Sequence, residues 1–291
     1  TNSELLQTQN RISTGLRVSS ASDNAAYWSI ATTMRNDRQS ISTVSDALGL
    51  GSATAEIASK GIESAIKIAS EIKDKLLAAR TPGVDRSKIQ SEISELQESL
   101  KAVVDGASFN GQNWLKTDSG EESARTIVSS FSRGSDGKIS IGTISVDLDS
   151  TRLIDSTDST GASTGGILDG EIALATGSDT VTVLDLDISE IEDTADDLAD
   201  LEAMISGVDS AIEKMTDAAS TLGAVKTRID IQKDFADSLM SAIDKGVGQL
   251  VDADMNEEST RLQALQVRQQ LGIQALGIAN QSAQSILSLF R

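Results

Sequence analysis

The sequence predicts a mainly α fold: a long, coiled-coil-like helical bundle built from both ends of the chain, with a small β-rich segment inserted in the middle. Three observations predict it. Apolar residues recur with a 3.5-residue period near both ends. A single proline in 291 residues leaves few points where a helix must break. Between the two periodic stretches, Gly, Ser, Thr and Asp accumulate and the helical period is lost.

Composition excludes several functional classes. The chain has no Cys and no His, which removes thiol nucleophiles, disulfides, zinc fingers and imidazole acid–base chemistry. Its 25 basic and 44 acidic residues give a net charge of −19, a field that repels nucleic acid. No apolar run approaches the ~20 residues of a membrane span. We therefore expect no cofactor, no metal, no nucleic-acid partner and no membrane insertion.

The first elements are helical. The chain opens inside a polar helix, and the next helix is long, with apolar residues that alternate in steps of three and four from position 27 to position 76. Pro82 and Gly83 end it. A shorter helix follows and is predicted to form an αα-hairpin with the long one. Its one apolar face comprises Ile89, Ile93, Leu96, Leu100 and Val103.

The middle of the chain carries strand and turn signals. Short alternating runs over 139–142, 144–148, 181–183 and 184–188 predict strands, and turns are predicted at Asn110-Gly111 and over 134–137. Residues 145–200 hold 15 acidic residues and one basic residue, Arg152. This composition predicts a solvated insert that faces outward.

A second long periodic stretch follows the insert. From Leu198 to Leu250 the apolar positions again alternate in steps of three and four, and only Lys226 and Lys233 are polar. At 1.5 Å per residue, an unbroken helix over these 53 positions spans roughly 80 Å. Gly246 and Gly248 predict a bend or fraying near its end.

The last predicted helix is apolar on two faces. Asp254 is placed to cap it, and Glu257 stands three residues on, as in a capping box. One stripe includes Leu262, Leu265 and Leu276, and a second adds Val267, Leu271 and Ile278. A helix with two apolar faces requires two neighbours.

Both ends of the sequence resemble bacterial flagellins. The run Arg11-Ile12-Ser13-Thr14-Gly15-Leu16-Arg17-Val18, followed by Ser22-Asp23-Asn24-Ala25-Ala26, is similar to that family's N-terminal signature. The run Leu250-Val251-Asp252-Ala253-Asp254-Met255, the Gln-rich helix after it and the ending Leu289-Phe290-Arg291 resemble the C-terminal signature. Phe109-Asn110-Gly111 also matches. The resemblance covers about the first 115 and the last 100 residues, and the middle does not match.

The resemblance implies a structural subunit that polymerises into the flagellar filament for swimming motility. It implies that residues 1–20 and 252–291 are terminal helices of an inner tube. Residues 21–115 and 191–251 then form a helical rod in an outer tube, and residues 116–190 form a variable, acidic, β-rich surface segment. By the same resemblance, the first helical turns of the family's N-terminal segment, which pair with the C-terminal helix, are not among the residues of this sequence.

Two sets of residues are predicted to carry these roles. The assembly interface comprises residues on the two terminal helices: Leu5, Ile12, Leu16, Leu262, Leu265, Val267, Leu271, Leu276, Ile278, Ile286, Leu289 and Phe290. The rod seam comprises core positions of the two long helices, which we expect to pack mostly against each other: Ile41, Val44, Leu48, Ile62, Ile72, Leu76, Leu201, Ile205, Ile212, Leu222 and Ile229.

The partners and location follow from the same resemblance. The main partner is the chain itself as a homopolymer, alone or mixed with sister flagellins. The resemblance also implies an export chaperone, the filament cap and the hook-junction proteins as partners. The expected location is the extracellular filament, reached by type III export without a cleaved signal peptide. Residues 67–72 lack the arginines of the stretch that an innate Toll-like receptor recognises in many flagellins, so weak activation is expected.

Other interpretations stay open at this stage. The runner-up is a hook–filament junction protein, a shorter relative with similar ends. An enzyme would need two carboxylates in a cleft with separated pKa values, and the acids here are scattered. A membrane-surface helix would need a basic polar face. Trp28 and Trp114 are expected in the core, and the Asp155–Asp158 and Asp185–Asp187 runs fit the EF-hand calcium pattern poorly.

Overall fold

The computed structural model describes residues 2–118, 123–156, 165–176 and 179–289, with side chains as far as residue 279 and at 281. It confirms the mainly α fold class. Five α-helices are present in the described chain: α1 (Asn2–Thr14), α2 (Ala25–Ala79), α3 (Arg86–Gly106), α4 (Ala195–Val251) and α5 (Met255–Leu289). None of these described helices combines the length and the apolarity needed to cross a membrane.

Short polar side chains begin the helices. Asn24 Oδ1 accepts the amide of Tyr27 at 3.1 Å, and Asp85 Oδ1 accepts the amide of Lys88 at 3.3 Å. Thr194 Oγ1 accepts the amide of Asp197 at 3.1 Å. Asp254 Oδ1 accepts the amides of residues 256 and 257, so the predicted cap of α5 is confirmed. Each bond satisfies a backbone donor that has no partner inside its helix.

The middle of the chain forms four two-stranded sheets within the described residues. A hairpin joins β1 (Ser108–Phe109) to β2 (Gln112–Asn113), and a longer antiparallel pair joins β4 (Ala124–Arg133) to β5 (Ile139–Asp147). Strand β3 (Lys116–Thr117) runs parallel to β6 (Ile154–Asp155), and β7 (Ile172–Ala173) pairs with β8 (Thr180–Val181). Both predicted turns are present: Asn110 and Gly111 have positive φ, and so has Gly137.

The chain divides into two units. Unit 1 comprises residues 1–42 and 237–291, and unit 2 comprises residues 43–236. In unit 1 a small core joins Val18, Ala31, Val247 and Val251. This packing explains why α4 continues past Gly246 and Gly248 to Val251, where the sequence predicts a bend or fraying.

Unit 2 has the larger core. Alternating Ala and large aliphatic residues of α2, from Ala55 to Ala79, pack against α3 and α4, with Trp114 and Leu115 beneath them. Two glycines allow close approach: a Cβ on Gly61 would lie 2.7 Å from Leu115 Cδ1, and one on Gly51 would lie 2.7 Å from Ile127 Cδ1. Buried Arg86 donates from Nε to Ala79 O and from Nη1 to Ile191 O, which fastens the end of α2 to the segment before α4.

Two expectations about the middle segment are wrong. Residues 184–188 are not a strand; a 3₁₀ helix covers Val183–Asp185. The alternation of apolar and acidic residues still separates two environments. Leu184, Leu186 and Ile188 are buried in the core, while the aspartates between them face solvent. Helix α3 satisfies the backbone instead of a strand: Gln97 Nε2 donates to Val183 O and Leu186 O, and Ile188 N donates to Gln90 Oε1.

The second error is an omission. Strand β4 is not predicted from the sequence, although its ten residues pair along the whole of β5, which merges the two runs predicted over 139–148. Buried Ile144 and Val146 anchor the pair on the helices. The middle segment therefore contributes aliphatic side chains to the core of unit 2 and turns most of its described acidic side chains outward, although Asp155 is buried.

Candidate assembly surfaces

Helix α1 packs on the first half of α5. Thr8 and Leu265 are buried between the two helices, and Leu5, Ile12 and Leu262 are half-buried. At the far end of α1, Gln269 Nε2 donates to Asn2 Oδ1 at 2.8 Å. Since Asn2 is the first residue of α1, the described part of this helix covers α5 no further than Gln269.

A charged cluster fixes the pairing. Buried Glu258 accepts through Oε1 from Arg11 Nη1 at 3.1 Å and from Arg261 Nη1 at 3.3 Å. Glu257 pairs with Arg261 at 3.1 Å rather than completing a capping box. A buried carboxylate is costly without partners, so the bond from Arg11 favours this register of α1 against α5, while Arg261, on α5 itself, adds a second partner for the same carboxylate.

The signature after α1 binds the turn between α4 and α5. Gly15, with φ of 71°, ends α1, and its carbonyl accepts from Ala253 N at 2.9 Å. Arg17 N donates to Val251 O at 2.7 Å, and Leu16 forms a β-bridge with Asp252. The N-terminal and C-terminal signatures are therefore one structural feature, although more than 230 residues separate them along the chain.

The signature also holds an ionised aspartate. Asp23 Oδ2 accepts from the hydroxyl and amide of Ser19, each at 3.0 Å, and from the hydroxyl and amide of Ser20. These bonds, the Ser19 hydroxyl first among them, lower the pKa of Asp23 from its ordinary 3.8. In unit 2, hydrogen bonds from Thr176 lower the pKa of Asp200 in the same way.

Helix α5 lacks cover beyond Gln269. All ten residues from 270 to 279 are exposed in the described chain. Five large apolar side chains on this helix are 54–67% exposed: Val267, Leu271, Ile273, Leu276 and Ile278. Val267, Leu271 and Ile278 share one side of the helix, and Ile273 and Leu276 lie on the opposite side. Exposed apolar surface of this extent marks an interaction site.

The predicted assembly residues fall into three groups. Leu265 is buried against α1, and Leu5, Ile12, Leu16 and Leu262 are half-buried in the same unit. Val267, Leu271, Leu276 and Ile278 face solvent, and Ile273, which the sequence reasoning missed, joins them. Phe290 and the side chains of Ile286 and Leu289 lie outside the described residues.

The rod-seam residues are mostly buried. In unit 1, Ile41 is buried; in unit 2, buried positions are Val44, Leu48, Ile62, Ile72, Leu76, Leu201, Leu222 and Ile229. Ile205 and Ile212 are half-buried at the margin of the core.

Other exposed apolar residues lie off the predicted stripes. Trp28 is 38% exposed, contrary to the expectation of core packing, because helix α2 begins only three residues earlier and little chain covers it; Trp114 is buried as expected. On α4, Ile231 and Phe235 are exposed. Their i, i+4 spacing off the seam is a signal that the sequence reasoning overlooked.

A metal site is not formed by the described residues, in which no group of three acidic side chains converges. The Asp185–Asp187 pair points into solvent. Of the other acidic run, Thr157 and Asp158 lie outside the described chain.

Comparison with known proteins identifies the family. Residues 1–119 match the family model of the bacterial flagellin N-terminal helical region, and residues 205–290 match that of the C-terminal helical region. Flagellin C of Rhizobium meliloti (strain 1021) is 47% identical over all of this chain and 94% of its own length. Flagellin A of the same strain is 41% identical over 99% of this chain and 95% of its own length. A flagellin of Brucella melitensis biotype 1 is 41% identical over 100% and 93%.

A crystal structure of Bacillus cereus flagellin also matches, over 68% of this chain and 88% of that one, with 18% identity and a TM-score of 0.39. The assignment rests on the sequence matches, which include both terminal signatures and extend along the whole chain. Nothing among them favours a hook–filament junction protein. The chain belongs to the bacterial flagellin family, and it is a structural subunit of the extracellular flagellar filament and not an enzyme.

Proposed function

We propose that neighbouring copies bury the uncovered apolar face of α5 when the subunit enters the filament, and that this burial drives polymerisation. The observation that carries the proposal is the ten-residue stretch 270–279, in which every residue is exposed. Among the described residues, α1 reaches α5 only as far as Gln269 and does not support these turns. Isolated helical segments of this length are marginal in water.

The available free energy is sufficient. Full burial of a large aliphatic side chain contributes roughly 1.5–3 kcal/mol, and these five side chains have more than half of that contribution still to gain. Together they offer roughly 5–10 kcal/mol per subunit, before the costs of association. Helix α1 covers the stripe that includes Leu265 only as far as Gln269, so Leu276 on that stripe and the whole second stripe are left for other copies.

The charge distribution supports the same division of roles. Residues 1–20 and 252–291 carry five basic and five acidic residues, so their net charge is zero. The entire −19 therefore resides on residues 21–251. Closely packed copies repel one another less when the segments at the centre are neutral and the acidic segments lie toward solvent.

The resemblance to flagellins implies the layers of the filament, and this charge distribution supports them. We assign residues 1–20 and 252–291 to the inner tube, residues 21–115 and 191–251 to the outer tube, and residues 116–190 to the filament surface. The rod seam stabilises each subunit, while the exposed members of the assembly interface join subunits. We also infer contact with sister flagellins, an export chaperone, the filament cap and the hook-junction proteins; the same apolar face of α5 is the surface that a chaperone would have to cover before assembly.

Hydrogen exchange tests the proposal directly. In the full-length monomer, the amides of residues 270–279 should exchange rapidly, and in the filament they should be protected. Helix α3 is the internal control, because it packs against the core of unit 2 and should be protected in both states. Equal exchange of 270–279 in monomer and filament would refute the proposed role of α5. Electron microscopy of the same sample distinguishes long filaments, expected of this chain alone, from the short assemblies of a junction protein.

A further inference from the structure

The turn of the β1–β2 hairpin holds the one Asn-Gly pair of the sequence. Phe109 pairs with Gln112, so Asn110 and Gly111 alone make the turn. Their φ values are 49° and 76°, and positive φ at both central residues is the mark of a type I′ turn. Both residues are exposed, so the pair is open to water.

The polar groups of this pair are free. Within the described chain, neither the side-chain amide of Asn110 nor the backbone N–H of Gly111 has a hydrogen-bond partner. A Cβ built on Gly111 would meet nothing within 4 Å, and glycine itself carries no side chain that would block an approach to its nitrogen. The hairpin has only two residue pairs, and a hairpin that short opens locally at little cost. Opening supplies the rotation that brings the Asn110 amide to the Gly111 nitrogen.

Asn113, on the second strand of the same hairpin, provides a contrast. Its Nδ2 donates to Val104 O at 2.7 Å. Its Oδ1 accepts from Leu115 N at 2.9 Å and from Lys116 N at 3.2 Å. This amide is half-buried and precedes the bulky Trp114, so it has to lose three hydrogen bonds before it can react.

We propose that Asn110 is a site of spontaneous deamidation in the folded protein. The backbone nitrogen of Gly111 attacks Cγ of Asn110, and a new C–N bond forms there. The bond from Cγ to Nδ2 breaks, and ammonia leaves with the proton that the Gly111 nitrogen gives up. Water then opens the cyclic imide at either of its two carbonyl groups, which gives aspartate or isoaspartate at position 110. The step needs no oxidant, reductant or enzyme, and it is independent of the proposed role of α5.

The two products act differently on the hairpin. Asp-Gly suits a type I′ turn, so aspartate at position 110 keeps the turn and adds one negative charge. Isoaspartate carries the main chain through the former side chain, which lengthens the turn and disturbs the register of Phe109 against Gln112. Trp114 and Leu115 directly follow this hairpin and are buried in the core of unit 2. Isoaspartate should therefore loosen that core.

Mass spectrometry tests the proposal. The full-length protein is aged in mildly alkaline buffer, with and without urea, and is then digested with trypsin. Cleavage after Lys101 and Lys116 leaves Asn110 and Asn113 in one peptide, so fragmentation reads both positions in the same molecule. In the folded protein we expect the mass shift of NH2 replaced by OH to accumulate at Asn110, while Asn113 stays unmodified.

Asn110→Gly is the matched control. Gly-Gly also suits a type I′ turn, and this variant has no amide to lose at position 110. After identical ageing, wild-type protein should unfold at a lower urea concentration than it did when fresh, and Asn110→Gly should not change. Asn110→Asp reproduces the other product and should unfold at the urea concentration of fresh wild type.

Two results would overturn the inference. One is an Asn110 that keeps its amide in the folded protein, whether or not it reacts in urea. The other is aged wild type, modified at Asn110, that loses no more stability than aged Asn110→Gly. Neither measurement involves the polymer, so failure here leaves the hydrogen-exchange test of α5 untouched.

Discussion

The contribution of a single uncovered leucine can be worked out in advance. Leu276 on α5 is 67% exposed. Leu276→Ala removes three carbon atoms, worth about 2.4 kcal/mol at ~0.8 kcal/mol each when they move from water into a core. Because the side chain is already one-third buried, assembly gains only about two-thirds of this burial free energy, about 1.6 kcal/mol. Because 1.4 kcal/mol corresponds to a factor of ten, the critical concentration should rise about 10- to 20-fold.

The assay is sedimentation of polymer at a series of total protein concentrations, where the supernatant gives the critical concentration. The matched control is Leu77→Ala on α2, which removes the same atoms from another exposed leucine on a long helix. Alanine favours helix at both sites, so neither monomer should be destabilised. If Leu276→Ala polymerises at the wild-type critical concentration, the argument that α5 is buried by neighbouring copies is wrong.

Three further predictions concern the monomer. Gly61→Ala should lower the free energy of unfolding by roughly 1–3 kcal/mol, because the added Cβ overpacks against Leu115. Gly49→Ala on the same helix should raise it by about 0.5–1 kcal/mol, because a Cβ there meets nothing within 4 Å. Urea unfolding of the two variants measures both changes and distinguishes their signs. Acrylamide should quench Trp28 and not buried Trp114, so Trp28→Phe should abolish most of the quenching. Asp23→Asn should lower the melting temperature at pH 7, and the difference should vanish at a pH below the lowered pKa of Asp23, where the wild-type carboxyl is also protonated.

The long helices were predictable because their pattern repeats over many turns. The stretch Leu198–Leu250 falls within α4 (Ala195–Val251), and sixteen repeated positions outweigh the cost of the glycines inside it. The two apolar stripes of α5 likewise indicated that one neighbour could not cover the helix. Both features are local periodicities, which a sequence displays directly.

The features of the fold that the sequence did not predict depend on tertiary partners. Alternation over 184–188 correctly separates buried leucines from exposed aspartates, but it does not reveal that Gln90 and Gln97 of α3 satisfy the backbone in place of a strand. Strand β4 exists because β5 pairs with it and Gly51 allows Ile127 to approach α2. A cavity of about 420 Å³ beside Trp114 is lined by residues of α2, of β4 and of the loop that follows β1, a combination that no single stretch of sequence indicates.

Solution pH should act on assembly in two opposite ways. At pH 7 the net charge of −19 opposes association, and protonation of exposed carboxylates as the pH approaches the isoelectric point of about 4.3 removes that repulsion. The rate and extent of polymerisation, followed by light scattering at low salt, should therefore rise as the pH falls from 7 toward about 4.3. Added salt at pH 7 should reproduce part of the increase, because it screens the same charges.

The second effect begins where the first ends. The carboxylates of Asp23, Asp85 and Asp200 have lowered pKa values in the folded state, caused chiefly by bonds from Ser19, Lys88 and Thr176 respectively. Their stabilisation is fully present above the ordinary pKa of 3.8 and is lost as the pH falls through the lower folded values. Below the isoelectric point the net charge becomes positive, so scattering should pass through a maximum near pH 4.3. The loss of the aspartate stabilisation is followed separately, as a fall in the melting temperature measured by circular dichroism below pH 3.8. Scattering that stays flat down to pH 4.3 would contradict the repulsion argument, and a melting temperature that does not fall well below pH 3.8 would contradict the role of these aspartates.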